Sequence, residues 1–441
     1  MEWSAATKFN VVISVLSGWL ALFGTFSYLI KETCYLSEAL VSILGVVAFT
    51  HVAGFFKPEE CVVSEDAIAS VTLDFSRLVL GVQLVLAGVQ LPSRYLRKEW
   101  KSLATLLGPG MIGMWACTSA VVWLFVPDLP VVHALAIAAC VTPTDPVLST
   151  TIVKGRFADE NVPEDLQQII VTESVANDGL GYPFLFQALY LIKYTEADGN
   201  PIAGEGGFAA AVFYGWAIGW LAQKLLHWAA RYKYLERESF LLFPVGMAIF
   251  ILGTCGMFGS DDVLACFVAG NVFTWNDWFH LETLDGPIQP AFDMLLNMAI
   301  FMWIGAICPW ASFWTSELVR PPRLFALGVL VLLLRRLPVI LGLHRYIRQI
   351  QGSSQALFVG YFGPIGISAI FYLYVGLEFL EGVRDGDGLR ADAKKLGDTM
   401  LVVIWFLIIS SIVIHGVSVS IAKIRMMLRG RFFRGRVTLP T

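Results

Sequence analysis

Charge is scarce in this 441-residue chain. Lys, Arg, Asp and Glu make up 15% of it against 56% hydrophobic residues, and the mean hydropathy is +0.67. A soluble domain of this length needs far more polar surface to cover its core, so that class is excluded. The net charge of −4 and the scatter of basic residues leave no cationic stripe for nucleic acid. Paired cysteine spacing is also missing. Cys34, Cys61, Cys117, Cys140, Cys255, Cys266 and Cys308 lie mostly in or beside apolar runs, which argues against a disulfide framework or a zinc site. There is no N-x-Ser/Thr sequon. The first apolar run lacks the basic leader of a cleavable signal and is expected to stay as a membrane anchor. No cofactor is called for.

What is abundant is apolar sequence in lengths that suit a bilayer, where a helix needs roughly 20 residues to cross. Thirteen candidate spans lie near 9–30, 35–56, 67–91, 102–126, 131–153, 165–192, 207–229, 239–259, 262–279, 287–311, 323–344, 354–380 and 398–422. With the N-terminus outside, 18 Lys and Arg fall in cytoplasmic connections against 9 outside. That bias agrees with an odd number of crossings and a cytoplasmic C-terminus. The expectation is an all-α membrane protein with one transport domain over 1–441, ending in a short basic cytoplasmic tail at 423–441.

Ionisable residues inside spans are costly, and each requires a reason. Span five reads AIAACVTPTDPVLSTTIV. Pro143 and Pro146 lack the amide proton a helix uses, so 142–146 is predicted to unwind at mid-membrane with Asp145 at the break. The freed carbonyls and the hydroxyls of Thr142 and Thr144 are expected to face one cavity, because irregular backbone at that depth must be covered. Span six carries ESVANDGLGYPF. Glu173 and Asn177, four apart, share a helix face, and Asp178 is turned about 100° from Asn177. Asp178 beside Asp145 would make an oxygen-rich pocket for a small monovalent cation, the transported Na⁺, Li⁺ or K⁺. Burial next to a second carboxylate favours protonation, so proton and cation would compete for one site. The plain alternative is a proline-kinked helix pair whose polar groups satisfy one another.

Span eleven contains LLLRRLPVILGL. A buried Arg needs an anionic partner, and Arg336 is predicted to brace Glu173, leaving Asp178 free to titrate. Arg335 is equally compatible with a membrane-interface position. In span twelve, Gly360, Gly363, Pro364 and Gly366 predict a second break. Spans five and twelve are seven apart and therefore cross in opposite directions. That places two inverted six-helix repeats over about 9–192 and 239–422, with a linker helix at 207–229 and broken, crossing helices 5 and 12. Asp74 and Arg77 are read as a mutual ion pair. His51 and His415 are read as packed polar residues, with pH sensing as the alternative.

At these residues the chain resembles the cation:proton antiporter superfamily, specifically the fungal plasma-membrane Na⁺/H⁺ antiporters. The likeness runs from about 35 to 420 and rests on TDPVLS at 144–149, ESVANDG at 173–179, DDVLACFVAGN at 261–271 and GYFGPIGISAIF at 360–371. Many relatives carry Arg where this chain has Phe362, so a role tied to that arginine does not transfer. The resemblance implies that Asp178 binds cation and proton, that Asn177, Asp145 and Thr144 shape the crossing, and that Glu173 and Arg336 form the brace. It further implies a plasma-membrane homodimer in which a core domain slides in elevator fashion, serving pH homeostasis and salt tolerance. Asp261, Asp262 and Asp293 are candidates for a cation pathway. The competing classes are a channel or other carrier, and an intramembrane diaspartyl protease using Asp145 and Asp178. NDGLG lacks the aspartate that such proteases carry after the glycine run, so the chain is expected not to be an enzyme.

Overall fold

The computed structural model describes residues 5–28, 36–52, 65–91, 94–153, 162–194, 206–276, 278–283, 288–385 and 388–434. Lys31, Lys57, Lys154, Arg156, Arg436, Cys34 and Cys61, which entered the charge and cysteine readings, lie outside these residues, as do the side chains of Lys8, His51 and the tail from 422 onward.

The protein is nearly all helical. Its main helices are α1 (Ala5–Tyr28), α2 (Glu38–Val47), α3 (Glu65–Gln90), α4 (Met111–Phe125), α5 (Val131–Val141), α6 (Pro146–Val153), α7 (Glu164–Tyr194), α8 (Gly206–Arg231), α9 (Arg237–Met257), α10 (Asp262–Phe273), α11 (Ile288–Ile307), α12 (Pro321–Leu334), α13 (Leu337–Leu343), α14 (Ser353–Tyr361), α15 (Ile367–Glu381) and α16 (Ala391–Arg434). Short helical turns fill some connections, and a two-stranded ribbon pairs Arg384 with Leu389 before α16.

Proline and glycine decide where the apolar runs are cut. α5 ends at Val141 and α6 begins on Pro146, a first-turn position where the missing amide proton costs nothing. The sequence Phe362-Gly363-Pro364-Ile365-Gly366 separates α14 from α15. A third cut, at Arg335 and Arg336 between α12 and α13, was not anticipated, although Pro338 in the first turn of α13 marks it. Three predicted spans are therefore each built from two shorter helices. Among the described residues, five stretches are long and apolar enough to cross a membrane: Ala67–Gln90, Trp100–Phe125, Arg237–Met257, Pro321–Tyr346 and Ala391–Ser418.

Backbones approach closely where side chains are small. A Cβ on Gly215 or Gly219 of α8 would press on the Ala265 or Ala269 carbonyl of α10, and one on Gly270 would come within 2.8 Å of the Val85 carbonyl of α3. Small residues four apart let α8, α10 and α3 pack as one layered unit, the usual means of helix association where lipid supplies no hydrophobic drive. α16 plays the opposite part. Residues 402–409 are all buried, so this helix is apolar on every side and lies in the interior against α2, α5, α12 and α15. Outward faces carry Phe213, Trp216, Trp220 and Leu225 of α8 and Ile249 and Phe250 of α9, as a lipid boundary requires.

Candidate functional site

The two interrupted spans meet at their breaks. The Asp145 amide donates to the Pro364 carbonyl at 2.9 Å, which joins the α5–α6 break to the α14–α15 break. Four helix ends thus converge in a dry interior, two with orphan amides and two with orphan carbonyls. Opposite charges answer them. Asp145 accepts from the Leu148 amide at 2.9 Å through Oδ1 and from the Ile367 amide at 2.9 Å through Oδ2, so a single carboxylate caps α6 and α15 together. A Cβ on Gly366 would collide with Asp145 Oδ2, which is why the chain passes there as glycine. Arg335 serves the other pair of ends. Its guanidinium donates to the carbonyls of Val141, Thr142 and Pro143 after α5 and to that of Gly363 after α14. Carboxylate at the N-termini and guanidinium at the C-termini is the arrangement that helix dipoles favour.

Two sequence expectations change here. Arg335, left open as an interface residue, is 1% exposed and occupies the crossing. The freed carbonyls of span five therefore face a cation, and the Thr142 hydroxyl turns back to the Ala138 carbonyl at 2.7 Å. A hydroxyl with its own helix carbonyl in reach needs no cavity partner.

α7 lies across this crossing and presents Glu173, Ser174, Asn177 and Asp178 to it. Asn177 accepts from the Thr144 amide at 3.0 Å and donates to Thr144 Oγ1 at 2.8 Å. The Thr144 hydroxyl donates in turn to Ser174 Oγ and Ser174 to Ser149 Oγ, both at 3.0 Å. Arg336 donates to both Glu173 oxygens at 2.6 Å and through Nε to the Val359 carbonyl at 2.8 Å. Glu173 is 1% and Arg336 2% exposed, so this is a fully desolvated, bidentate pair.

Asp178 differs from every other charged group around it. It is fully buried, and neither carboxylate oxygen has a hydrogen-bond partner. The Ser368 hydroxyl lies beside it and acts on it, and Tyr372 donates to its backbone carbonyl only. Asp145 is near enough to act on it electrostatically, and each Asp145 oxygen accepts a backbone amide. The crossing therefore holds one carboxylate with no hydrogen bond to either oxygen and one tied to two backbone amides.

The remaining candidates sit on other helices, the start of α10 packing on α7 through Leu264 against Gly179. Asp261 caps α10 through the Leu264 amide at 2.9 Å, with its other oxygen unpartnered. Asp262 takes the Arg77 guanidinium of α3. This corrects the expected Asp74–Arg77 pair: Asp262 is buried and needs a cation, whereas Asp74 is exposed. Asp293 sits half-buried on α11, which packs on α2 and α3. Sequence reasoning missed the paired role of Arg335 and the Thr144–Ser174–Ser149 hydroxyl chain. The adjacent Arg335-Arg336 before Pro338 was the available signal for the first.

The profile of the family described as the transmembrane sodium/hydrogen exchanger matches residues 13–423. The chain belongs to this family. Members similar to it include the Na⁺/H⁺ antiporter 2 of Zygosaccharomyces rouxii, 34% identical over 96% of this chain and 54% of the relative. A Na⁺/H⁺ antiporter of Schizosaccharomyces pombe is 29% identical over 98% of this chain and 94% of the relative. The chain spans about half the length of several curated relatives it matches. Among solved structures, the sodium proton antiporter MjNhaP1 of Methanocaldococcus jannaschii superposes with a TM-score of 0.66 at 17% identity, covering 94% of this chain and 100% of that one. The sodium/hydrogen exchanger fold is thus shared, and the protein is a multi-pass membrane protein.

Proposed function

We propose that the protein exchanges Na⁺, or Li⁺ and K⁺ by the same chemistry, for H⁺, with Asp178 as the group that binds either. The observation that carries this reading is the contrast in charge compensation at the crossing. Asp145, Arg335, Glu173 and Arg336 are each answered by a partner, while the Asp178 carboxylate is buried with both oxygens open. An ionised carboxylate cannot stay bare in so dry a place. It must hold a proton or sit against a cation, and it cannot do both at full strength. Release of one ligand admits the other, which couples the two fluxes. The names of the relatives support the same assignment.

On this reading Asp145, Thr144 and Asn177 fix the crossing and do not serve as transported-ion ligands in the conformation described. The breaks at Pro143, Pro146, Gly363 and Pro364 give the crossing its shape. Spans 4–6 and 11–13 form a core domain that moves in elevator fashion against the α3–α8–α10 unit. Thirteen crossings in two inverted repeats, a homodimer in the plasma membrane, an outer N-terminus and a cytoplasmic C-terminus complete the proposal.

Purified protein in proteoliposomes with an imposed pH gradient tests it directly. Added Na⁺ or Li⁺ should dissipate the gradient, and Asp178→Asn should reduce that rate by at least about a hundredfold, as loss of an essential group does. An Asp178→Asn protein that exchanges at the wild-type rate would remove the assignment. Current carried by Na⁺ without proton counterflow would favour a channel.

A further inference from the structure

The break between α14 and α15 is held from a second side, by the interior helix α16. The Ile365 amide donates to Ser411 Oγ at 2.7 Å. One turn on, His415 Nε2 lies 3.1 Å from the Tyr361 carbonyl, and its Nδ1 lies 3.2 Å from Ser411 Oγ and 2.9 Å from the Ser411 carbonyl. Both side chains are buried. In an unbroken helix the Ile365 amide would bond directly to the Tyr361 carbonyl, four residues back. That is the bond the Gly363–Pro364 interruption opens, and the Ser411–His415 pair stands in the gap. The Gly363 amide also reaches the Tyr361 carbonyl at 3.1 Å, leaving its second lone pair for the imidazole.

Both ring nitrogens of His415 face carbonyls, which only accept: Nε2 that of Tyr361 and Nδ1 that of Ser411. A neutral imidazole donates to one of them and sets a lone pair against the other. Hydrogen on Nε2 is the form that carries a relay across the break: Ile365 N–H to Ser411 Oγ, Ser411 O–H to His415 Nδ1, and His415 Nε2–H to the Tyr361 carbonyl. The bond from Ile365 to Ser411 is present with either tautomer.

We propose that Ser411 and His415 are positioning residues, a two-side-chain insert that replaces one helical hydrogen bond and fixes how wide the α14–α15 break stands. The width matters because Pro364 and Ile367, on either side of Ile365 and Gly366, are the groups that Asp145 grips from the other broken span. Arg335, also seated at this break through the Gly363 carbonyl, bears electrostatically on His415. The insert therefore sets the crossing against which Asp178 works, without touching the ion. A Cβ on Gly416, next to His415, would come within 3.0 Å of Ser37 Oγ, so α16 is seated here against α2 and cannot easily shift to compensate.

The consequence for exchange rests on the function proposed above, and two readouts separate them. Hydrogen–deuterium exchange of the 361–367 segment reports the relay whether or not the protein transports. Ser411→Ala and His415→Ala should speed exchange of the Ile365 amide, while His415→Gln, whose amide offers one donor and one acceptor, should keep its protection. In proteoliposomes the two alanine variants should raise the KM for Na⁺ by about tenfold, within the hundredfold that an ångström of misplacement can cause, with a smaller change in maximal rate. His415→Gln should restore the wild-type KM. Unchanged Ile365 protection in both alanine variants, or a His415→Gln protein as defective as His415→Ala, would overturn the positioning role. Wild-type protein that shows the protection pattern but no cation exchange would leave the relay standing and refute the transport reading. Ser411→Ala keeps the test decisive if His415→Ala fails to fold.

Discussion

Glu173 and Asp178 are five residues apart on the same helix, equally buried, and chemically almost the same group. Glu173 is held by two short bonds from Arg336, and Asp178 has no hydrogen bond to either oxygen. Burial alone therefore does not make a carboxylate functional. What separates the two is whether the surrounding fold has already supplied the opposite charge. Their spacing along α7, about 1.4 turns, also explains why a single guanidinium does not serve both, since residues five apart point about 140° away from each other.

The contrast predicts opposite stability effects. Glu173→Gln leaves the Arg336 guanidinium buried without its anion and should cost about 3–5 kcal/mol, seen as a large fall in the thermal transition of detergent-purified protein. Removing both charges, Glu173→Leu with Arg336→Met, should recover most of that loss, because a well-packed apolar pair avoids the desolvation penalty. Asp178→Asn should leave the transition where it is or raise it slightly, since an unpartnered buried carboxylate contributes nothing that an amide would lose. Equal destabilisation by Glu173→Gln and Asp178→Asn would erase the distinction between brace and binding group.

How much of this could be seen in the linear chain follows from the range of each interaction. Breaks at Pro143–Pro146 and Gly363–Pro364 are local backbone chemistry, and proline and glycine announce them directly. The Glu173–Arg336 juxtaposition was expected because an intramembrane charge has few partners to choose from. Arg335 is harder to place by the same logic: its partners are backbone carbonyls, which every residue carries, so only its position beside Arg336 and ahead of Pro338 points to the break. Asp145 shows the same limit from the other side. Two acids near each other suggest shared coordination, and what they do not reveal is that Asp145 also accepts the orphan amides of Leu148 and Ile367. The Asp74–Arg77 pairing failed because spacing along α3 says nothing about which acid is deprived of water.

Asp262 sharpens the comparison at intermediate burial. It is 8% exposed in its side chain and is paired with Arg77, which is 32% exposed. Water can partly rehydrate what remains after Arg77→Gln, so the cost should fall to about 2–3 kcal/mol, between the values for sealed and surface pairs. Thermal denaturation of Arg77→Gln beside Glu173→Gln measures the difference. A cost as large as that of the sealed pair would mean that exposure does not grade these interactions.

The smallest effect concerns neutral groups in the same neighbourhood. Thr144 Oγ1 accepts at 2.8 Å from Asn177, the residue before Asp178 on α7, and donates to Ser174 at 3.0 Å. Thr144→Val keeps the shape and removes the hydroxyl, stranding the Asn177 amide hydrogen in a dry site at about 1–2 kcal/mol. Thr144→Ser keeps both bonds and loses only a methyl group, for about 1 kcal/mol or less. If the hydroxyl chain holds α7 against the α5–α6 break, Thr144→Val should weaken Na⁺ exchange while Thr144→Ser leaves it intact, because only valine frees Asn177 to turn toward Asp178. Matching exchange by the two variants would show that the methyl group, and not the hydrogen bonds, sets the spacing between the crossing and the open carboxylate.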